Sequence, residues 1–211
     1  MPKKLFIFMA LVLLVLLYGY GPCTAAPITY VETVTASGTL AGQSFSGQVV
    51  TITGMYYDTS NIIGPLSPNS EYEVGLSSTI PYPEPTVSVS SIGTYNFLDD
   101  VQVLDIQALS EAGFYDATIL SNILMTVNPT YFASYDLSTS IGPVSGFASW
   151  PSPAVSYPLN TSPVSYFYFD PPLTSYFSAT LQTAVPEPTT ILLLGSGLMG
   201  LWGCRKKFFK K

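Results

Sequence analysis

The chain has 211 residues, a formal net charge of −6 and 9% charged side chains, with seven Lys and Arg against thirteen Asp and Glu and no His. All seven basic residues lie at the ends, so between Pro27 and Ala184 no side chain is positive, while twelve acidic ones remain (thirteen less Glu187). That composition excludes nucleic-acid binding, which rests on Lys and Arg neutralising phosphates, and it excludes Ser-His-Asp catalysis and His-ligated metals.

It also leaves every buried carboxylate to a neutral donor, a metal or a proton. The two cysteines, Cys23 and Cys204, stand near the ends. The body therefore has no disulfide and no thiol nucleophile. Its stability must come from a hydrophobic core, which a body of about 158 residues can supply.

In chain order, residues 1–25 read as a secretory signal peptide. Lys3 and Lys4 form the charged start, Leu5 to Leu17 is continuously apolar, and Gly19, Gly21 and Pro22 break the helix. Cleavage after Ala25 puts Cys23 and Ala25 at the two small positions. Lipidation at Cys23 needs small residues before it, and Tyr20-Gly21-Pro22 does not supply them.

Residues 26–184 read as one all-β ectodomain. Ile28, Tyr30, Val34, Ala36 and Leu40 share one parity, interrupted by Glu32, and Thr29, Val31, Thr33 and Thr35 share the other. Ala41-Gly42-Gln43 turns the chain, and Phe45 to Thr53 forms a second strand. Met55 to Asn61 continues as a strand ending in a turn. Gly64 to Pro85 is loop-rich, with a short strand around Glu71, Glu73 and Val74. Further strands are expected at Thr86–Ser91, Tyr95–Leu98 and Val101–Leu109.

Phe114 to Val127 reads two ways. Ile119, Leu120, Ile123 and Leu124 have helical spacing, whereas the flanking strands and the Tyr, Thr and Val content favour strand. Tyr131–Leu137 is a further strand candidate. Pro143 to Pro172 holds seven prolines, and Val155-Ser156-Tyr157 recurs nine residues on as Val164-Ser165-Tyr166, read as similar hairpin edges. Tyr176–Gln182 is the last strand. Many short strands joined by Gly and Pro turns indicate a single β-sandwich.

Residues 185–211 have three parts in strict order. Pro186-Glu187-Pro188 is a stiff acidic arm, because proline fixes its own φ and biases the residue before it to extended conformations. Thr189 to Cys204 is an uncharged run of 16 residues, whose apolar side chains include Ile191, Leu192, Leu193, Leu194, Leu198, Met199, Leu201 and Trp202. As a helix it spans roughly 24 Å at ~1.5 Å per residue, short of a bilayer core of ~30 Å, and it crosses by local thinning with Trp202 at the interface. Arg205, Lys206 and Lys207, with Lys210 and Lys211, are the basic stop that holds the end in the cytoplasm.

This order of motif, apolar run and basic end resembles the PEP-CTERM sorting signal of Gram-negative bacteria. The resemblance implies recognition near Pro186-Glu187-Pro188 by an exosortase-like membrane transpeptidase, which removes the tail. It also implies a transient stay in the inner membrane facing the periplasm, then the outer surface or an extracellular biofilm matrix. Within the body, Ser37–Gly47, Asp58–Ile62 and Tyr135–Gly146 resemble blocks of a PEP-CTERM ectodomain family with no assigned activity.

Sites in the body read weakly. Asp58-Thr59-Ser60 lacks the second such triplet an aspartic protease needs, and an Asx-type turn explains it. Asp99, Asp100 and Asp105 carry oxygen ligands of the kind calcium takes, but a solvated acidic edge accounts for them more simply. Glu71 and Glu73 share a strand face, as part of a glycosidase pair can, with a polar edge the simpler account. Tyr157, Tyr166, Tyr168, Tyr176 and Trp150 can stack on sugars or pack hairpins and core. Asn160-Thr161-Ser162 is an N-x-S/T triplet of little meaning in a bacterium.

The expectation is a non-catalytic, exported surface or matrix protein without catalytic residues, metal or cofactor. A carbohydrate-binding or adhesive module, helped by calcium and holding exopolysaccharide, is the alternative.

Overall fold

The computed structural model describes residues 27–56, 62–66, 68–74, 83–151, 155–170 and 173–182. All fall within one compact unit, Ala25–Thr183. The expected signal peptide, Asp58-Thr59-Ser60 and the tail with its expected membrane run lie outside the described residues. Among the described residues there is no helix, and so none long and apolar enough to cross a membrane.

Thirteen strands form: β1 Ile28–Leu40, β2 Gln43–Tyr56, β3 Ile62–Leu66, β4 Glu71–Val74, β5 Thr86–Val89, β6 Gly93–Asn96 and β7 Val101–Ile106, then β8 Glu111–Asp116, β9 Ser121–Val127, β10 Ile141–Ser149, β11 Tyr157–Leu159, β12 Ser165–Phe169 and β13 Thr174–Leu181. They join one antiparallel sheet in the order β3-β4-β7-β8-β9-β10-β13-β1-β2-β5-β6, with β12 on β1 and β11 on β12. The fold is all-β, as the composition predicts.

The first hairpin sets the frame. β1 and β2 pair from Ile28↔Tyr56 to Leu40↔Gln43, with one bulge between Ala36 and Gly38. The two turn residues Ala41 and Gly42 have φ of 51° and 79°, the double left-handed geometry that matches strand twist in a tight hairpin. Every even position of β1 from Ile28 to Ala36 is buried, Glu32 included. The partners of β1 then divide along its length. Ile28–Val34 pair with β13, and Gly38–Leu40 pair with β12.

The sheet folds over on itself, giving the two packed layers of a sandwich. β10 is the corner. Its end pairs with β9 (Phe147↔Val127) and its earlier part with β13 (Val144↔Phe177). Gly146 makes that passage possible, because a Cβ there would meet the Val127 carbonyl and the Thr126 methyl. Across the fold, the Tyr56 hydroxyl donates to the Val101 carbonyl (3.3 Å) and the Tyr157 hydroxyl to the Asn122 carbonyl (2.6 Å). At the other end Phe97 bridges Leu159, linking the β6 end to β11.

The core between the layers is aromatic. Tyr30, Tyr56, Phe97, Phe114, Phe132, Tyr157, Phe167 and Phe177 are all fully buried. Phe132, Tyr135 and Phe177 meet edge-on or tilted at 5.7–6.2 Å, the geometry ring quadrupoles favour.

Of the two readings of Phe114–Val127, the favoured strand holds: a turn at Ala117–Leu120, where Leu120 has φ 54° and Asp116 Oδ1 accepts the Thr118 and Ile119 amides (2.9 and 3.2 Å), divides it into two strands. One expectation needs correction: Tyr131–Leu137 is not a strand. The Asn128 side chain accepts the Thr130 amide (3.0 Å) and its carbonyl accepts the Tyr131 and Phe132 amides. This winds the chain into turns, the Asx competition with strand pairing that Asn offers.

Candidate functional site

The polar chemistry of the body is inside it. Glu32 points from β1 between the two layers and is fully buried. Thr126 of β9 donates its hydroxyl to Glu32 Oε1 (2.8 Å). With that proton committed, the 2.6 Å contact between Thr126 and Ser175 of β13 makes Ser175 the donor. Three strands distant in sequence are thus tied at one carboxyl group.

Glu32 Oε2 has no hydrogen-bond partner. It faces Gly113 of β8, where a Cβ would stand 2.5 Å from it. Burial drives the Glu32 carboxyl well above the usual carboxylate range. The Thr126 and Ser175 hydroxyls and the nearby Phe114 backbone pull the other way and are outweighed. Burial therefore favours the protonated form of Glu32. Only its place on the inward parity of β1 signals this in the sequence, which was otherwise read as an interruption.

Asp105 of β7 is the second buried acid. It is 0% exposed, and neither carboxyl oxygen has a hydrogen-bond partner. Burial, then the charge of Asp136, pushes its pKa up to about 8. The expected solvated edge is therefore wrong for Asp105. β7 is buried on every residue from Val101 to Asp105, so alternation does not bring this side chain to water.

Asp99 and Asp100 are separate from it. They lie before β7, roughly 16–20 Å of extended chain from Asp105 at ~3.3 Å per residue. They are laced to the turn after β8, with the Asp100 amide donating to Thr118 Oγ1 (3.2 Å) and the Ala117 amide to the Asp100 carbonyl (2.8 Å). Asp116 beside them is buried and its carboxyl raised, mainly by desolvation and in part by Asp99. Among the described residues no group of three or more His, Cys, Asp or Glu is arranged to hold a metal.

Glu71 and Glu73 stand on β4 two residues apart, opposite Ile106 and Leu104, and so share a face. Partial burial, then Glu71 and Asp100, raises Glu73. The aromatic candidates divide. Tyr157 is core, its hydroxyl pushed up to about 12 by burial, and Trp150 packs against the core. Tyr166 and Tyr176 are exposed. The strands of Tyr157 and Tyr166, β11 and β12, do form a hairpin, with Pro158 opposite Tyr166. Asn160 is exposed, its amide donating to Glu84 (3.2 Å).

The sorting residues Pro186, Glu187 and Pro188, the membrane run and the basic cluster lie outside the described residues. Comparison with known proteins bears on them directly. A family model described as the PEP-CTERM protein-sorting motif matches residues 184–207. No curated protein and no solved structure matches the chain. The match takes in the acidic motif, the apolar run and Arg205-Lys206-Lys207. The chain therefore carries a PEP-CTERM protein-sorting motif at its C-terminus, behind an all-β body, and that motif implies export and membrane-anchored processing by an exosortase.

Proposed function

We propose that this protein is a structural component of the cell surface or extracellular matrix of a Gram-negative bacterium. A signal peptide at residues 1–25 takes it across the inner membrane. The run from Thr189 to Cys204 then holds it there with residues 26–184 facing the periplasm. An exosortase-like transpeptidase acting near Pro186-Glu187-Pro188 separates body from tail. The body works outside the cell in a biofilm or exopolysaccharide matrix, without catalysis and without a cofactor.

The observation that carries this reading is the sorting motif at residues 184–207. The body suits the role. Its core is continuous and aromatic, and it has no disulfide to reduce. Changing Glu187 to Ala is expected to leave the full-length form in the inner membrane. Normal removal of the tail from that variant would overturn the motif's role.

A second reading, a carbohydrate-binding or adhesive module, is favoured by one surface feature. Phe147 is 78% and Tyr176 47% exposed. The register Ser145↔Tyr176 and Phe147↔Thr174 puts both on the same outer face of β10 and β13. Rings exposed in this way can stack on sugars. Retention of the secreted protein on native exopolysaccharide, lost when Phe147 and Tyr176 are both changed to Ala, supports this role. Equal retention of the double variant removes it.

A further inference from the structure

The segment from Asn128 to Ser140 closes one end of the core and is tied to the end of β7, two residues past Asp105. Gln107, just past the end of β7, donates its amide to the Tyr135 carbonyl (2.7 Å). The Tyr30 hydroxyl donates to the Leu137 carbonyl (2.6 Å), and the Tyr135 hydroxyl to the Thr139 carbonyl (2.8 Å). Each carbonyl keeps a second lone pair. Asp136 is turned by its own segment, with Oδ1 accepting the Ser138 amide (3.0 Å) and hydroxyl (2.7 Å). Its charge is felt by Asp105 and by Tyr30.

Asp105 is the independent sign of a ligand. It is 0% exposed and neither oxygen has a partner. A buried carboxyl with both oxygens unpaired is costly, and no Lys, Arg or His exists anywhere between Pro27 and Ala184 to answer it. What remains is a proton or a cation from outside the chain. The charge of Asp136 acts on Asp105 as well, and a divalent cation neutralises both carboxylates where one proton neutralises only one.

We propose that Asp105 and Asp136 hold a calcium ion, with backbone carbonyl oxygens of residues 135–139 and water completing its shell. Calcium suits an all-oxygen, irregular site because it accepts six to eight oxygen ligands in flexible geometry, whereas magnesium demands a near-ideal octahedron. The ion fastens the closing segment to β7 and so makes the folded body depend on extracellular calcium.

The test uses the full-length chain purified in detergent and stripped with a chelator. Calcium chloride alone is titrated while thermal unfolding is followed, with magnesium chloride in parallel. At about a hundredfold excess over Kd, calcium should raise Tm by roughly 5–10 °C, and magnesium should do much less. Asp105→Asn and Asp136→Asn should each lose the calcium shift, while Asp99→Asn, on the other acidic edge, keeps it.

Terbium gives a readout that needs no variant to fold. Excitation through the neighbouring tyrosines should give saturable terbium emission that calcium displaces. No calcium shift and no sensitised emission in the unaltered chain overturn the proposal, since Asp105 is then simply protonated. A shift that survives both substitutions overturns the site.

Discussion

The middle of the sandwich and the region under its closing segment solve the same problem differently. In the middle of the sandwich, Glu32 is a buried acid held by Thr126 and Ser175, hydroxyls from two other strands. Under the closing segment, Asp105 is a buried acid with no hydrogen bond at either oxygen. Both carboxyls are driven up chiefly by burial. In a body with no cationic side chain, neutral hydroxyls make one buried acid part of the packing, whereas the other is left open to a ligand from outside.

The largest effect is expected at the closing segment. Phe132 is fully buried against Tyr135 and Phe177. Phe132→Ala should cost about 3–5 kcal/mol in denaturant unfolding, and hydrogen exchange should show Asn128–Ser140 opening before the middle of the core. Equal loosening at Thr126 and Ser175 would mean that the two regions are one cooperative unit.

In the middle, Gly113→Ala should cost on the order of 3 kcal/mol. The added methyl meets backbone atoms of Leu124 and Met125 as well as Glu32 Oε2, so the strand itself has to move. Thr126→Val is isosteric and leaves both Glu32 and Ser175 short of a partner. It should cost about 1–3 kcal/mol, read from the unfolding midpoint at pH 7. A neutral result would show that the hydroxyl chain contributes nothing net.

The same comparison has a pH signature. The folded-state pKa of Glu32 lies above its unfolded value, so the folded state binds the proton more tightly. Its contribution is fully present below pH 4.5 and is lost as pH rises from there through the raised folded value. The slope from this one proton is at most about 1.4 kcal/mol per pH unit. Glu32→Gln should remove that share of the slope when urea unfolding is measured across the range. An unchanged slope would mean that Glu32 keeps the same pKa folded and unfolded.

Much of this layout was legible in the sequence, and the failures have physical causes. The alternation in Ile28–Leu40 and the Ala41-Gly42 turn gave β1 and β2, because both signals are local. Glu32 was visible as a break in the pattern, but its partners Thr126 and Ser175 lie 94 and 143 residues away. No local rule brings them together. No strand was expected at Ile141–Ser149, where β10 forms; Pro143 sits within it where the register slips between Ile141 and Val144, a place where a strand tolerates proline. Tyr131–Leu137 had strand composition, but Asn128 and Asp136 captured neighbouring amides and made turns instead. The sorting motif was read whole, because its order of short segments does not depend on the fold.

The central claim is that the body and tail part company at the membrane. Intact mass and C-terminal peptide mapping of the protein from native cells and medium test it most directly. A form beginning near Ala26 and ending near Pro186–Pro188 is the predicted result. A secreted or surface form that still carries Lys211 would contradict the account and make the last 27 residues a permanent anchor.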